Sequence, residues 1–356
     1  MEKKIGLILF LVCFITVATP SLNIRAEEEE SYVNLKIQEI HFKITPSFKF
    51  ILPDGAAKIE IKNKFDITEL TAATEYSYIY SKIKYLLGYR VLLPFEPSLI
   101  LYDDTNFERV YEAKKFIQRN RGIGVGLKSP AFFDTVTIKE NIRNENFYFA
   151  QLNNVAQVEQ GNMNVFDSWI EIARDFEKAG AFKLSLNLEK GLPTTYAKYN
   201  YLFFNGNLSA DIRPHRRSLI NLNLSYGYLL EGATVSQWKA YGLGGYDDLA
   251  GFNVDDFSGY YKLFGRVKYT YAFLEKINWN FWVVTWSGSN LIAEVNIGNV
   301  GDVWSLMKGA RYKISAAIGL DMDFKFKYIT NFRLTFMLAQ ALSGHAGPVF
   351  YLINEF

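Results

Sequence analysis

Cysteine is nearly absent: the 356 residues hold one, Cys13. A lone thiol excludes a disulfide framework and a thiolate metal site within one chain. Histidine is scarce too. His41, His215 and His345 are scattered without metal-ligand spacing, so neither a metal nor another cofactor is expected. Charge of one sign is also lacking. The 39 basic and 37 acidic side chains become equal in number once residues 1–26, which hold Lys3, Lys4, Arg25 and Glu2, are set aside. That balance gives no case for a nucleic-acid partner. No Walker or dinucleotide fingerprint is present, and Gly-X-Ser-X-Gly is missing. Gly122-Ile123-Gly124-Val125-Gly126 alternates regularly and reads as a small-residue strand segment. With no catalytic constellation, the chain is not expected to be an enzyme.

Long apolar runs are missing beyond the N-terminus, so no later transmembrane helix is expected. The N-terminus reads as a secretory signal peptide over residues 1–26. Lys3 and Lys4 form its positive region, Ile5 to Val17 its apolar region, and Ala26 its cleavage point. The apolar run is shorter than the roughly 18 residues of a membrane helix. Phe10-Leu11-Val12 ahead of Cys13 lacks the small residue of a lipidation site. Residues 27–33 follow as a short acidic tail opened by Glu27, Glu28, Glu29 and Glu30, with no room for a periplasmic domain.

What the chain has in quantity is aromatic residues, 16% of the total and mostly Phe and Tyr, set in a period-two pattern. Ile40, Phe42, Ile44, Phe48 and Phe50 alternate with polar residues, as do Ile59 and Ile61. Pro53-Asp54-Gly55 is a turn. Tyr76, Tyr78 and Tyr80 carry the next strand, with a phase shift near Ser81 that suggests a bulge. Leu86 to Gly126 holds three more strands. Gln151 to Asn164 is polar and reads as a longer loop, and Trp169 to Ala179 also fits a short helix. From Phe182 onward the alternation is clean. About sixteen strand-length segments result, filling residues 34–356 and even in number, as a single-chain bacterial barrel requires.

Alternation does not say which face meets lipid, because a soluble β-protein shows the same pattern turned inward. Segment lengths near the roughly 9–11 residues of a tilted spanning strand favour a membrane barrel. So does recurrence through the chain, which suits a sheet closed without edges. The expectation is an all-β transmembrane antiparallel barrel in the outer membrane of a Gram-negative-type bacterium, with outer-membrane lipid as its surroundings. Phe350 and Leu352 share a face with the terminal Phe356. They resemble the signal read by the outer-membrane assembly machinery, although Asn354 spoils one position.

One glycine-rich stretch stands between two long alternating segments. Gly244, Gly245, Leu249, Ala250, Gly251 and Phe252 give paired glycines, then an aliphatic-X-Gly-aromatic unit. This resembles the inward-folded sixth loop of the bacterial surface antigen superfamily of outer-membrane assembly and secretion barrels, of which the BamA-like insertases are the best-known members. Glu294, Asn296 and Gly298 look like the strand motif that receives the loop. The superfamily usually has Arg where this chain has Ala250, and Asp where it has Asn296. Both ends of the expected ion pair are therefore gone together. Without the Arg, the pattern looks closer to the barrels attached to patatin-type lipases, but no patatin domain is present. The resemblance implies a loop docked in the lumen, with Phe252 near the strand that carries Asn296 and Gly298. It also implies a weak seam between the first and last strands and a polypeptide client. The alternative is a passive channel or structural anchor with the loop as plug. The charged residues opposite the apolar stripes are most simply a hydrated lumen. Deleting Phe356 should lower membrane levels of the protein and expose it to periplasmic proteolysis, as read by immunoblot. Unchanged levels would make Phe356 incidental to assembly.

Overall fold

Antiparallel strands make up nearly all of the computed structural model, which describes residues 43–355 except 53–55, 66, 78–81, 112–113, 133–134, 152–153, 177–178, 193–199, 232–239, 254–255, 283, 302–311, 327–330 and 345–346. In chain order they begin with β1 (Lys43–Leu52), β2 (Ala56–Phe65), β3 (Thr68–Ser77), β4 (Lys82–Val91), β5 (Ser98–Tyr111) and β6 (Lys114–Lys128). Then come β7 (Val136–Gln151), β8 (Asn154–Asp175), β9 (Gly180–Leu192), β10 (Tyr201–His215) and β11 (Ser218–Glu231). Two short strands follow, β12 (Tyr241–Leu243) and β13 (Phe257–Gly259), which pair only with each other. The wall resumes with β14 (Tyr261–Phe281), β15 (Val284–Gly301), β16 (Lys313–Phe326), β17 (Asn331–Ala341) and β18 (Val349–Glu355). Sixteen strands form one closed barrel: β11 pairs directly with β14, and β18 returns to β1.

The burial pattern decides which face meets lipid. On β15, Leu291, Val295 and Ile297 are exposed, while the alternate residues Ile292, Glu294 and Asn296 are buried. On β6, Ile123, Val125 and Leu127 point out. On β16, Ile318 is 64% exposed while Ser315 and Asp321 are buried. The exposed face is apolar and the buried face carries the polar residues. That is the reverse of a soluble sandwich and the arrangement of a membrane-spanning barrel. Trp279, Phe281 and Trp282 stand exposed at the end of the β14–β15 hairpin, which suits an interfacial aromatic belt.

Two rims follow from the strand directions. One is the terminal rim, where β1 begins and β18 ends. The β10–β11, β14–β15 and β16–β17 connections turn there. At the other, the loop rim, the chain leaves β11 for β12 and returns from β13 to β14.

Two sequence expectations change. Gln151 to Asn164 is not a long loop: β8 starts at Asn154 and pairs with β7. Trp169 to Asp175 is strand rather than helix, held between β7 and β9. The phase shift expected near Ser81 lies outside the described residues, as do Tyr78 and Tyr80. Residues 1–42, with the signal peptide and acidic tail expected there, also lie outside the described residues, as do His41, His345 and Phe356.

Val267 faces out at 50% exposure and pairs with Val295. Val267→Arg should destabilise the barrel by about 2–4 kcal/mol if it lies near the bilayer midplane. Inward Thr270→Arg should cost less. Urea titrations in lipid vesicles measure both. A larger penalty at position 270 would reverse the assignment of faces.

Candidate functional site

The β12–β13 ladder carries the chain inward from the loop rim and back out, with Leu243 opposite Phe257. The turn between them needs glycine at two places. A Cβ on Gly244 (φ 137°) would fall 2.1 Å from the carbonyl oxygen of Asn253. A Cβ on Gly251 (φ 96°) would lie 2.9 Å from the backbone nitrogen of Ala341. The second glycine thus lets the loop's main chain lie directly on β17. The turn is tied internally: Gly245 N donates to Phe252 O at 3.2 Å, and Phe252 N to Leu249 O at 3.1 Å.

The loop's apolar residues are packed away. Leu243, Leu249 and Ala250 have 0% exposure and Phe252 has 5%. Phe252 meets Phe257 edge-on at 5.3 Å and packs in one cluster with Phe264 of β14 and Ala341 of β17. It is Leu243, not Phe252, that sits on Gly298: a Cβ there would be 2.9 Å from a methyl of Leu243. Ala250 belongs to one buried cluster with Ile51 of β1, Ala317 of β16, Met337 and Ala339 of β17, and Tyr351 and Ile353 of β18. Tyr246 lies 5.6 Å from Tyr351 between ring centres, and Gly251 N donates to the Tyr351 hydroxyl at 3.2 Å. The loop tip therefore rests on the strands that flank the barrel's closure.

The polar side of the loop is held by a residue that the sequence reading did not single out. Arg266, on the inner face of β14, donates from Nε to Asn296 Oδ1 at 3.0 Å, with Glu294 Oε1 at 3.2 Å. Its Nη2 reaches the carbonyls of Tyr246, Asp247 and Asp248 at 3.2, 2.6 and 3.1 Å. Two protons are shared among three acceptors. Fully buried Asn296 donates to Glu294 at 2.8 Å and lies 3.4 Å from Ser315. Lys262 adds an ion pair to Asp248 at 2.9 Å. The missing loop Arg is thus answered by an Arg on the wall. Its signal in the sequence was inward parity on β14, shared with Lys262 and Phe264.

A second set of charges braces the wall at β7, β8 and β9. Arg143 of β7 pairs with Glu145 at 3.2 Å, with Asp167 of β8, and with Glu189 of β9 at 2.7 Å. Tyr102 and Tyr201 donate to Glu145 and Glu189. This part of the lumen lining is cross-linked rather than merely hydrated. Nearer the loop rim, Phe116, Phe147, Phe149, Met163, Tyr201 and Phe203 form an apolar cluster. Phe350 and Leu352 lie on the outer side of β18, with Phe350 at 55% exposure, and Phe356 is outside the described residues. Among the described residues no group of side chains is arranged to hold a metal.

No protein-family model matches this sequence, and no curated protein matches it. Solved structures match by fold. BamA from Haemophilus ducreyi lacking POTRA domains 1–3 aligns with a TM-score of 0.67 at 12% identity, over 90% of this chain and 71% of that chain. CdiB from Acinetobacter baumannii aligns at 0.59 and 12%, over 90% and 60%. CdiB from Escherichia coli aligns at 0.63 and 11%, over 90% and 68%. The chain spans between 60% and 71% of the length of these structures. At such identities the likeness is one of fold: this is a barrel of the BamA and CdiB type.

In a chain without Cys13, Ala250→Cys should resist an aqueous maleimide, since the site is fully buried. Adding Arg266→Ala removes charged hydrogen bonds typically worth about 1.5–3 kcal/mol each and should make the thiol react. Equal labelling with and without Arg266 would show that the guanidinium does not hold the loop.

Proposed function

We propose that this protein is an outer-membrane barrel of the assembly or translocation kind, acting on a polypeptide client, with the Gly244–Phe252 loop as its plug. The observation that carries the reading is where the loop tip rests. Tyr246 and Gly251 contact Tyr351 of β18, Gly251 lies on β17, and Ala250 shares a buried cluster with residues of β16, β17, β18 and β1, while Arg266 fixes the same loop to β14. Loop position is thereby tied to the strands of the closure. Among the described residues that closure is also the shortest pairing in the wall. β1 and β18 share four residue pairs, from Lys49 with Glu355 to Leu52 with Leu352, against seven between β17 and β18. Fewer pairs mean fewer hydrogen bonds to break when the wall opens.

The likeness to BamA and CdiB supports an outer-membrane location and non-enzymatic handling of polypeptides. Gly244, Gly245, Leu249, Gly251, Phe252, Glu294, Asn296 and Gly298 are proposed as the docking set, joined by Arg266. Phe350, Leu352 and Phe356 are proposed as the segment read by the assembly machinery. A second reading, a passive channel or anchor with a permanent plug, is favoured by the density of bonds on Arg266.

Locking the closure separates the two. Ile51 and Ile353 are direct partners whose side chains are both buried in the lumen wall. Cells whose sole copy carries Ile51→Cys and Ile353→Cys should lose specific outer-membrane or secreted proteins, and reductant should restore them. An unchanged outer-membrane and secreted proteome, with the cross-linked barrel present at normal levels, would leave only the passive reading.

A further inference from the structure

Beneath the docked loop, toward the terminal rim, the lumen widens into a cavity of about 590 Å³. Its charge is lopsided. Six cations line it: Arg213, Arg216, Arg217, Arg266, Lys268 and Arg333. Three carboxylates also line it, half the number of cations, and Glu294 lies beside Arg266. Asp211 accepts from Asn221, Asp321 from Thr335, and Asp323 from Arg333 at 2.8 Å. Glu275 at the rim holds Arg216 and Arg217 only loosely, at 3.9 and 3.7 Å. Positive charge in a narrow passage with low-dielectric walls is focused rather than screened away.

One of the six cations is also the residue that holds the plug. Arg266 reaches the loop through Nη2 alone, while its Nε is held by Asn296 and Glu294 of β15, and its Nη1 has no hydrogen-bond partner among the described residues. Its loop acceptors are neutral backbone carbonyls. A carboxylate is a stronger acceptor for guanidinium and takes two N–H groups at once. With its Nε kept by Asn296 and Glu294, Arg266 would therefore exchange the three carbonyls on Nη2 for one carboxylate bound across Nη1 and Nη2 and presented from the cavity.

We propose that this cavity receives an acidic segment of a polypeptide entering from the terminal rim, and that the segment's carboxylates draw Arg266 off the loop and release the plug. The inference rests on the reading of the loop as a plug. A polypeptide fits the lining better than a phosphate cluster does. Asp211, Asp321 and Asp323 repel dense negative charge, whereas Asn221, Asn290 and Ser218 offer partners to main-chain amides.

The test uses the full-length protein refolded in planar bilayers, with hexaglutamate, hexalysine or inorganic phosphate added at matched charge. Arg266→Ala without peptide comes first. It should raise conductance, and failure to do so would sink the plug reading itself. Given that rise, hexaglutamate should increase the opening frequency of the native barrel about tenfold, the effect of one charged hydrogen bond's worth of bias. Hexalysine should do nothing. The response should fall about tenfold in Arg213→Ser/Arg217→Ser and return in Arg213→Lys/Arg217→Lys, with heat-modifiable gel mobility confirming folded barrels. No response to hexaglutamate, or the same response in the serine pair, would overturn the proposal and leave the plug standing. An equal response to phosphate would overturn the assignment to polypeptide.

Discussion

Every other feature of this barrel depends on one constraint: a backbone crossing a bilayer has no water to turn to. Each amide must find a partner in the neighbouring strand, so the sheet has to close. Closure puts one face of every strand against lipid and the other against an enclosed space. The apolar stripes of Leu291, Val295 and Ile297 thus end on the outside, while Glu294 and Asn296 end within. The same constraint makes the meeting of β1 and β18 unavoidable, however short their pairing.

An enclosed polar space brings its own demand. Buried charges must be paired or neutralised. The lumen answers with two local solutions on different parts of the wall. Around Arg143, three carboxylates from three strands converge on one guanidinium and stiffen the wall. Around Arg266, one carboxylate, one amide and three main-chain carbonyls share the charge, and the wall is joined to a loop instead. The exchange of Asp for Asn at position 296 is consistent with this. Glu294 already balances Arg266, and a second carboxylate beside it would bury unpaired negative charge.

Much of the fold was legible because lipid enforces period two wherever a strand is in the bilayer. It was least legible where that enforcement lapses. β8 runs for 22 residues, longer than a spanning strand, and its early part pairs with β7 through amide side chains: Asn162 with Asn144 and Asn146. Polar residues on both faces leave no alternation to read, hence the expected loop. Farther along β8, Ile170, Ala173 and Phe176 happen to match a helical spacing, and only the flanking strands decide the matter. At the candidate site the glycines were legible, because close main-chain approach and positive φ leave few other choices. Arg266 was not, because its importance comes from register. It faces Asn296 across the sheet and the loop across the lumen, and neither relation is visible along the chain.

The way Arg266 grips the loop has a consequence for how this protein can drift. Its acceptors at Tyr246, Asp247 and Asp248 are carbonyl oxygens, which every amino acid carries. Replacing the side chains at those three positions leaves these acceptors in place, so this part of the grip survives even where the Asp248 pair with Lys262 or the Tyr246 contact with Tyr351 is lost. The burden of inheritance falls on the wall residue and on the two glycines that shape the backbone. A docking motif built this way fades from sequence sooner than from structure.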